Sequence, residues 1–132
     1  RSRLSLEPAI AREAAIHASG DAVSNLTMIG QRTQAADNWE DYELFDDQFH
    51  RAIGIAADNP LLLSLFDHLN AVRRGVAWKT VVRSSVRPAF DHTSFAEHDQ
   101  ILAAIEARDP SAAHASMRTH LVSVSNRLFG DA

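Results

Sequence analysis

The sequence predicts an all-α fold, an antiparallel bundle of about six helices. Three observations carry this expectation. Apolar residues recur at helical spacing almost everywhere, and no alternating run marks a strand. Five glycines and four prolines give little punctuation across 132 residues, and alanine is the commonest residue. Where punctuation does occur it has the form of helix starts. Asn59-Pro60 and Asp109-Pro110 each pair a capping side chain with a proline suited to the first helical turn.

In chain order, Pro8 opens a first helix that runs to about Ser19 and stops at Gly20. Asp21 caps a second helix to about Ala36, and Asp37, with Glu40 three residues on, caps a third to about Ala57. Asn59-Pro60 starts a long fourth helix through about Arg83. Pro88 interrupts, because the residue before proline avoids the helical region. A fifth helix follows from Phe90 or Ser94 to Ala107, and Asp109-Pro110 opens a sixth to about Phe129. The connections are short, so neighbours pack antiparallel. Neither an internal repeat nor a low-complexity tract is present.

Composition excludes several classes of function. One domain's worth of chain, 45% hydrophobic and 23% charged, is ordinary for a globular protein. The absence of cysteine removes disulfides, thiolate metal sites and cysteine nucleophiles. A net charge of -4 and a pI near 5.9 are a poor footprint for a free-standing nucleic-acid binder. No apolar run approaches a membrane span and no signal-peptide pattern opens the chain, so the expected compartment is the cytoplasm. The chain begins at Arg1 and its only methionines are Met28 and Met117, so we expect a processed or excised piece of a longer protein. Six acids without a base lie between Asp37 and Asp47, and acids near a helix start suit the helix dipole. Five bases without an acid lie between Arg73 and Arg87: a solvated face, or one or two arginines turned inward toward an anion.

The informative feature is a set of polar residues on apolar stripes. On the third helix Asp46, Phe49, His50 and Ile53 share a face, and Asp46 and His50 are four apart, so both reach one point. A carboxylate there is costly unless it is paired or holds a metal. His98 shares its face with Ile101, Leu102 and Ile105, and His120 shares its own with Met117, Leu121, Val124 and Leu128. His98 and His120 each stand eleven residues from the turn at Asp109. At about 1.5 Å rise per residue, both lie roughly 16 Å from it, level across the hairpin.

Three histidines and one carboxylate suit zinc, nickel, iron, cobalt or manganese and leave coordination positions open. The bland reading is a core histidine bonded to a carboxylate. His68 also lies on an apolar stripe, with Leu61, Leu65 and Val72, and lacks an obvious acidic partner. His17, His92 and His114 read as surface or edge residues. Paired Glu-x-x-His motifs, His-Glu-x-x-His, a glycine-rich phosphate loop and a Gly-x-Ser-x-Gly elbow are all absent.

These residues resemble a known family. Asp46-Asp47-Gln48-Phe49-His50 fits the D-x-x-F-H signature of the FadR C-terminal (FCD) domain of GntR-type bacterial transcription regulators. Asn59-Pro60-Leu61-Leu62 falls where that family places its A-x-x-N-x-x-L segment. Glu97 to Ile105 resembles its E-H-x-x-I-L-x-A-I helix, and Ala113 to Leu121 its A-x-x-x-M-x-x-H-L helix. Arg3-Leu4-Ser5-Leu6-Glu7 resembles its R-x-x-L-E entry. Together the segments cover essentially the whole chain, in order, so residues 1–132 are read as one effector-binding and dimerising domain.

The resemblance implies an all-α bundle that senses a small molecule. In the family's metal-binding branch one aspartate and three histidines hold a divalent ion, and these match Asp46, His50, His98 and His120. Zinc is the first expectation. The implied effectors are small carboxylates, which Arg3, matching the family's entry arginine, would clamp; outside any motif, Asn126, two turns from His120, and Arg74 or Arg83 from the basic run are further residues to meet them. The resemblance also implies an N-terminal winged helix–turn–helix with no counterpart in this sequence. We therefore expect a non-enzymatic homodimer that reaches DNA only through that further domain. Trp39, Phe66 and Trp78 are either partly exposed at the dimer surface or ordinary core.

Two other classes stand beside this one. A metal-dependent hydrolase or lyase would need a general base, and Asp47 and Glu97 are each expected to point off the ligand face. A metal-free sensor of a longer apolar chain would use the same residues as a buried polar network.

Overall fold

A computed structural model describes residues 1–77, 86–89 and 92–129. Among them the chain forms six helices and no strand: α1 (Ser2–His17), α2 (Gly20–Ala35), α3 (Trp39–Ala56), α4 (Pro60–Ala77), α5 (Thr93–Glu106) and α6 (Pro110–Phe129). The predicted all-α class and helix order therefore hold. Helix α1 lies against α3, α4, α5 and α6; α2 packs on α3 and α5, and α5 pairs with α6. None of the described helices is long and apolar enough to cross a membrane.

The core draws on every helix. Ala11, Ala14 and Ala15 are fully buried and let α1 lie close to its neighbours, beside Ile10. Leu26, Phe49, Ile53, Phe66, Ile101, Ile105, Met117 and Leu121 fill the centre. A smaller cluster of Ala36, Tyr42 and Phe95, flanked by Trp39 and Phe45, closes one end. Helix α4 crosses α3 at Gly54, where a Cβ would come within 3.2 Å of Leu63.

The two tight turns share one form. Asp58 (φ 54) and Arg108 (φ 57) sit in the left-handed region, each just before a cap-proline pair. Asn59 Oδ1 then accepts from the Leu61 and Leu62 N–H groups, and Asp109 Oδ1 from that of Ala112, as the sequence leads one to expect.

Three starts differ from expectation. Helix α1 begins at Ser2, so Pro8 lies inside it rather than at its first turn. Ser19, not Asp21, caps α2, accepting from the Ala22 N–H at 3.1 Å. Asn38, not Asp37, caps α3, with its Oδ1 2.8 Å from the Asp41 N. A neutral side chain one residue away wins because capping depends on the extended backbone at that residue, not on charge. Asn38→Ala should therefore cost about 1 kcal/mol while Asp37→Ala costs a few tenths, as denaturant melts of the two variants would show.

Helix α4 turns a different face inward than its pattern suggests. Leu61, Leu65, His68 and Val72 are exposed, and Phe66 is the buried residue, with Asn70 and Arg73 following it on the inner side. The inner face ends in ions: Arg73 donates to Asp47 Oδ1 at 2.7 Å, and Arg74 pairs with the other oxygen. Of the predicted surface aromatics Phe66 is core, Trp39 is half-buried and Trp78 lies outside the described residues.

Candidate functional site

Asp46 and His50 reach inward from α3, His98 from α5 and His120 from α6. One donor atom from each lies within 4.8 Å of every other. The three histidines are each 3% exposed or less, among a mostly apolar core. The levelling of His98 and His120 across the hairpin is real, since their ring centroids are 4.9 Å apart. His50 stacks on His120 at 5.2 Å, and Phe49 covers the His98 ring at 4.6 Å. The Asp46 side chain, at 23% exposed, is the least buried of the four.

The imidazoles are held differently. His50 Nδ1–H donates to Glu7 Oε1 at 2.6 Å, and His120 Nδ1–H donates to Glu97 Oε1 at 2.6 Å. Each bond leaves Nε2 facing the centre, where those two nitrogens are 3.3 Å apart. A carboxylate behind an imidazole is the arrangement that orients metal-ligating histidines. His98 Nε2 lies 2.9 Å from Asp46 Oδ1, off the hydrogen-bond direction, and neither of its ring nitrogens has a hydrogen-bond partner among the described residues. Buried polar atoms are rarely left so. An N₃O donor set with one orphaned imidazole fits a divalent transition ion.

Electrostatics follow from this crowding. Burial would raise the Asp46 carboxyl, but His50 and His98 outweigh it and hold it well below its usual range. Burial would lower His50, yet Asp46 and Glu7 raise it to about 9. Burial lowers His120 to about 4, with His50 and His98 adding to the effect of burial against the pull of Glu97. Glu7 and Glu97 are both held at about 2 against their own desolvation, Glu7 by His50 and Arg3, Glu97 by His120, Ser123 and Arg127.

Two of these groups were not singled out from sequence. Glu7 entered only as part of a motif, although it shares a stripe with Ile10, Ala11 and Ala14. That is the same signal, a carboxylate on an apolar face, that marks Asp46. Glu97 was expected off the ligand face, yet it bonds a ligand of the neighbouring helix, which a single-helix projection does not show. Asp47 does point away, into its ion pair with Arg73 and Arg74.

The residues expected to meet an effector are scattered. Arg3 Nε donates to Glu7 Oε2 at 2.5 Å. Arg74 is engaged by Asp47. Asn126 lies in an open groove with Thr93, Thr119, Val122, Ser123 and Arg127. Arg83 falls outside the described residues.

Bundle and cluster together define a helical domain with a metal-competent polar centre. The chain belongs to the FCD domain family, whose model matches residues 1–123, and is homologous to GntR-family transcription regulators. It is 31% identical over 128 residues to the HTH-type transcriptional repressor NanR of Salmonella typhimurium, covering 93% of this chain and 46% of that protein. The chain thus spans about half the length of the curated relatives it matches. Among solved structures it resembles Streptococcus agalactiae GntR (TM-score 0.75, 26% identity, 93% of this chain and 54% of that one). It also resembles E. coli McbR/YncC (TM-score 0.85, 20% identity, 98% and 65%), a likeness of fold.

Proposed function

We propose that this chain is the effector-binding domain of a GntR-type transcription regulator. In this reading Asp46, His50, His98 and His120 hold a divalent transition metal, zinc first, and a small carboxylate effector binds beside it. The observation that carries this is the convergence of four donor atoms, with two imidazoles fixed from behind by carboxylates and the third, beside Asp46, lacking a hydrogen bond among the described residues.

A bound ion supplies positive charge and open coordination positions for the oxygens of an anionic ligand. The protein's own residues do the rest. Glu7 and Glu97 orient two ligands, Phe49 covers the third, and the surrounding apolar core keeps water from competing. Arg3 lies near enough to Asp46 for the two charges to interact, and in this reading its guanidinium meets the effector's carboxylate. The domain works as a homodimer. An effector shifts it only by binding one arrangement more tightly than another, which would reset the spacing of DNA-binding domains supplied from outside this sequence.

Elemental analysis of tag-free protein beside His50→Ala tests this. About one equivalent of transition metal is expected in the wild type and none in the variant, as a four-donor site requires. Absence of metal from both, even after incubation with zinc, nickel or manganese, would overturn the metal reading and leave a buried polar network.

A further inference from the structure

Glu7 belongs to α1, yet its side chain is only 4% exposed and ends against the cluster. Its two oxygens go opposite ways. Oε1 accepts from His50 Nδ1–H at 2.6 Å, and Oε2 accepts from Arg3 Nε at 2.5 Å. One buried carboxylate therefore joins α3 to the first turn of α1.

The next residue makes that tie matter more. Pro8 has no N–H, so the helical bond that would return to the Leu4 carbonyl is missing. The first turn is joined to the body of α1 by a ladder one rung short, at a helix end where fraying is easiest. Its backbone bonds begin with the Ser5 N–H to the Arg1 carbonyl at 3.1 Å. The Arg3–Glu7 pair spans that turn and anchors it on a buried group.

Glu97 is the internal comparison. It fixes His120 as Glu7 fixes His50, but its other oxygen faces Arg127 of α6, 3.7 Å away, so its position bears on the hairpin and not on α1.

We propose that Glu7 is a positioning residue for His50 and that, through Arg3, it couples the order of the first turn of α1 to occupancy of the Asp46–His50–His98–His120 cluster. This rests on the metal reading above. His50 would meet a bound ion through its inward nitrogen, which would fix its ring against Glu7, and Glu7 in turn holds Arg3. By linkage, fixing the first turn strengthens ion binding by the same factor.

Zinc titration and NMR-detected amide exchange on the whole chain test the coupling. In the wild type, saturating zinc is expected to slow exchange at the Ser5, Leu6 and Glu7 amides about tenfold, as a suppressed local opening would. Glu7→Gln and Glu97→Gln should each weaken zinc binding about 10- to 100-fold, the usual effect of losing a group behind a ligand. At saturating zinc, Glu97→Gln should keep the first-turn protection and Glu7→Gln should lose it. Arg3→Gln leaves the Glu7–His50 bond in place, so it guards against a misfolded Glu7 variant. It should weaken zinc binding by no more than the coupling factor of about tenfold, yet show no zinc-dependent protection.

One equivalent of zinc bound without slower exchange in the wild type, or protection retained in Arg3→Gln, would overturn the coupling alone. No zinc bound would overturn the metal reading and the coupling together, and the stoichiometry tells the two failures apart.

Discussion

His98→Ala loses zinc affinity by roughly a hundred- to a thousandfold while keeping its helices. The size follows from dividing the ~10–16 kcal/mol of a four-ligand zinc site among its donors, about 2.5–4 kcal/mol each. His98 is the ligand least engaged elsewhere, because neither ring nitrogen finds a hydrogen-bond partner among the described residues. Its removal in the metal-free protein relieves two ring nitrogens that lack hydrogen bonds, but it also opens a cavity beside Phe49 and takes the nearest imidazole, 2.9 Å away, from Asp46. Those effects oppose each other, so apo stability should change by only about 1–2 kcal/mol.

His50→Ala makes the contrast. It loses zinc too, but it strands Glu7 and Asp46 and should cost about 3–5 kcal/mol without any metal. Zinc competition titrations and chelator-treated melts of the two variants separate the roles. Wild-type affinity in His98→Ala would remove it from the ligand set, and effector binding should fail wherever zinc binding does.

Much of the fold was legible because the relevant signals are local. Asn59-Pro60 and Asp109-Pro110 act through a cap and a first-turn φ, and both starts fall where the pattern puts them. The shifted starts at Ser19 and Asn38 show the limit, since two cappable residues in a row are told apart only by the backbone's path. Pro8 misleads for a related reason: a proline in the second turn of α1 reads the same as one in the first.

Helix α4 fails on phase. With Leu61, Leu62, Leu63 and Leu65 in sequence, either of two stripes can be the inner one. The choice falls to Phe66 and to Arg73, whose partner Asp47 lies on another helix. The cluster itself was readable where it used one-helix spacing (Asp46 with His50) or one hairpin (His98 with His120). Glu7 and Glu97 were not, because each serves a ligand on a different helix, and that relation exists only once the bundle is packed.

In the metal-free protein, stability should peak near pH 6.5 and fall on both sides, because two buried histidines are shifted in opposite directions. His50 is raised to about 9 from an ordinary 6.5, against its burial, by Asp46 and Glu7. A raised group contributes fully below its unfolded value and loses that contribution as pH climbs through the folded one, here from 6.5 to 9. His120 is lowered to about 4, by burial first and by His50 and His98 next. The unfolded chain then binds the extra proton, so this contribution is present above 6.5 and lost as pH falls toward 4. Glu7, held at about 2 by His50 and Arg3 against its burial, extends the acid side from 4.5 downward.

At about 1.4 kcal/mol per pKa unit, each histidine accounts for about 3 kcal/mol, or about 10 °C in Tm for a domain of this size. Glu7 and His50 share one ion pair, so their contributions are two views of the same energy, lost at opposite ends of the scale. Thermal melts in chelator from pH 4 to 9 read both wings. A flat alkaline wing would mean that His50 is not held protonated between Glu7 and Asp46. A flat wing between 6.5 and 4 would mean that His120 is not kept neutral by its burial and the rings beside it.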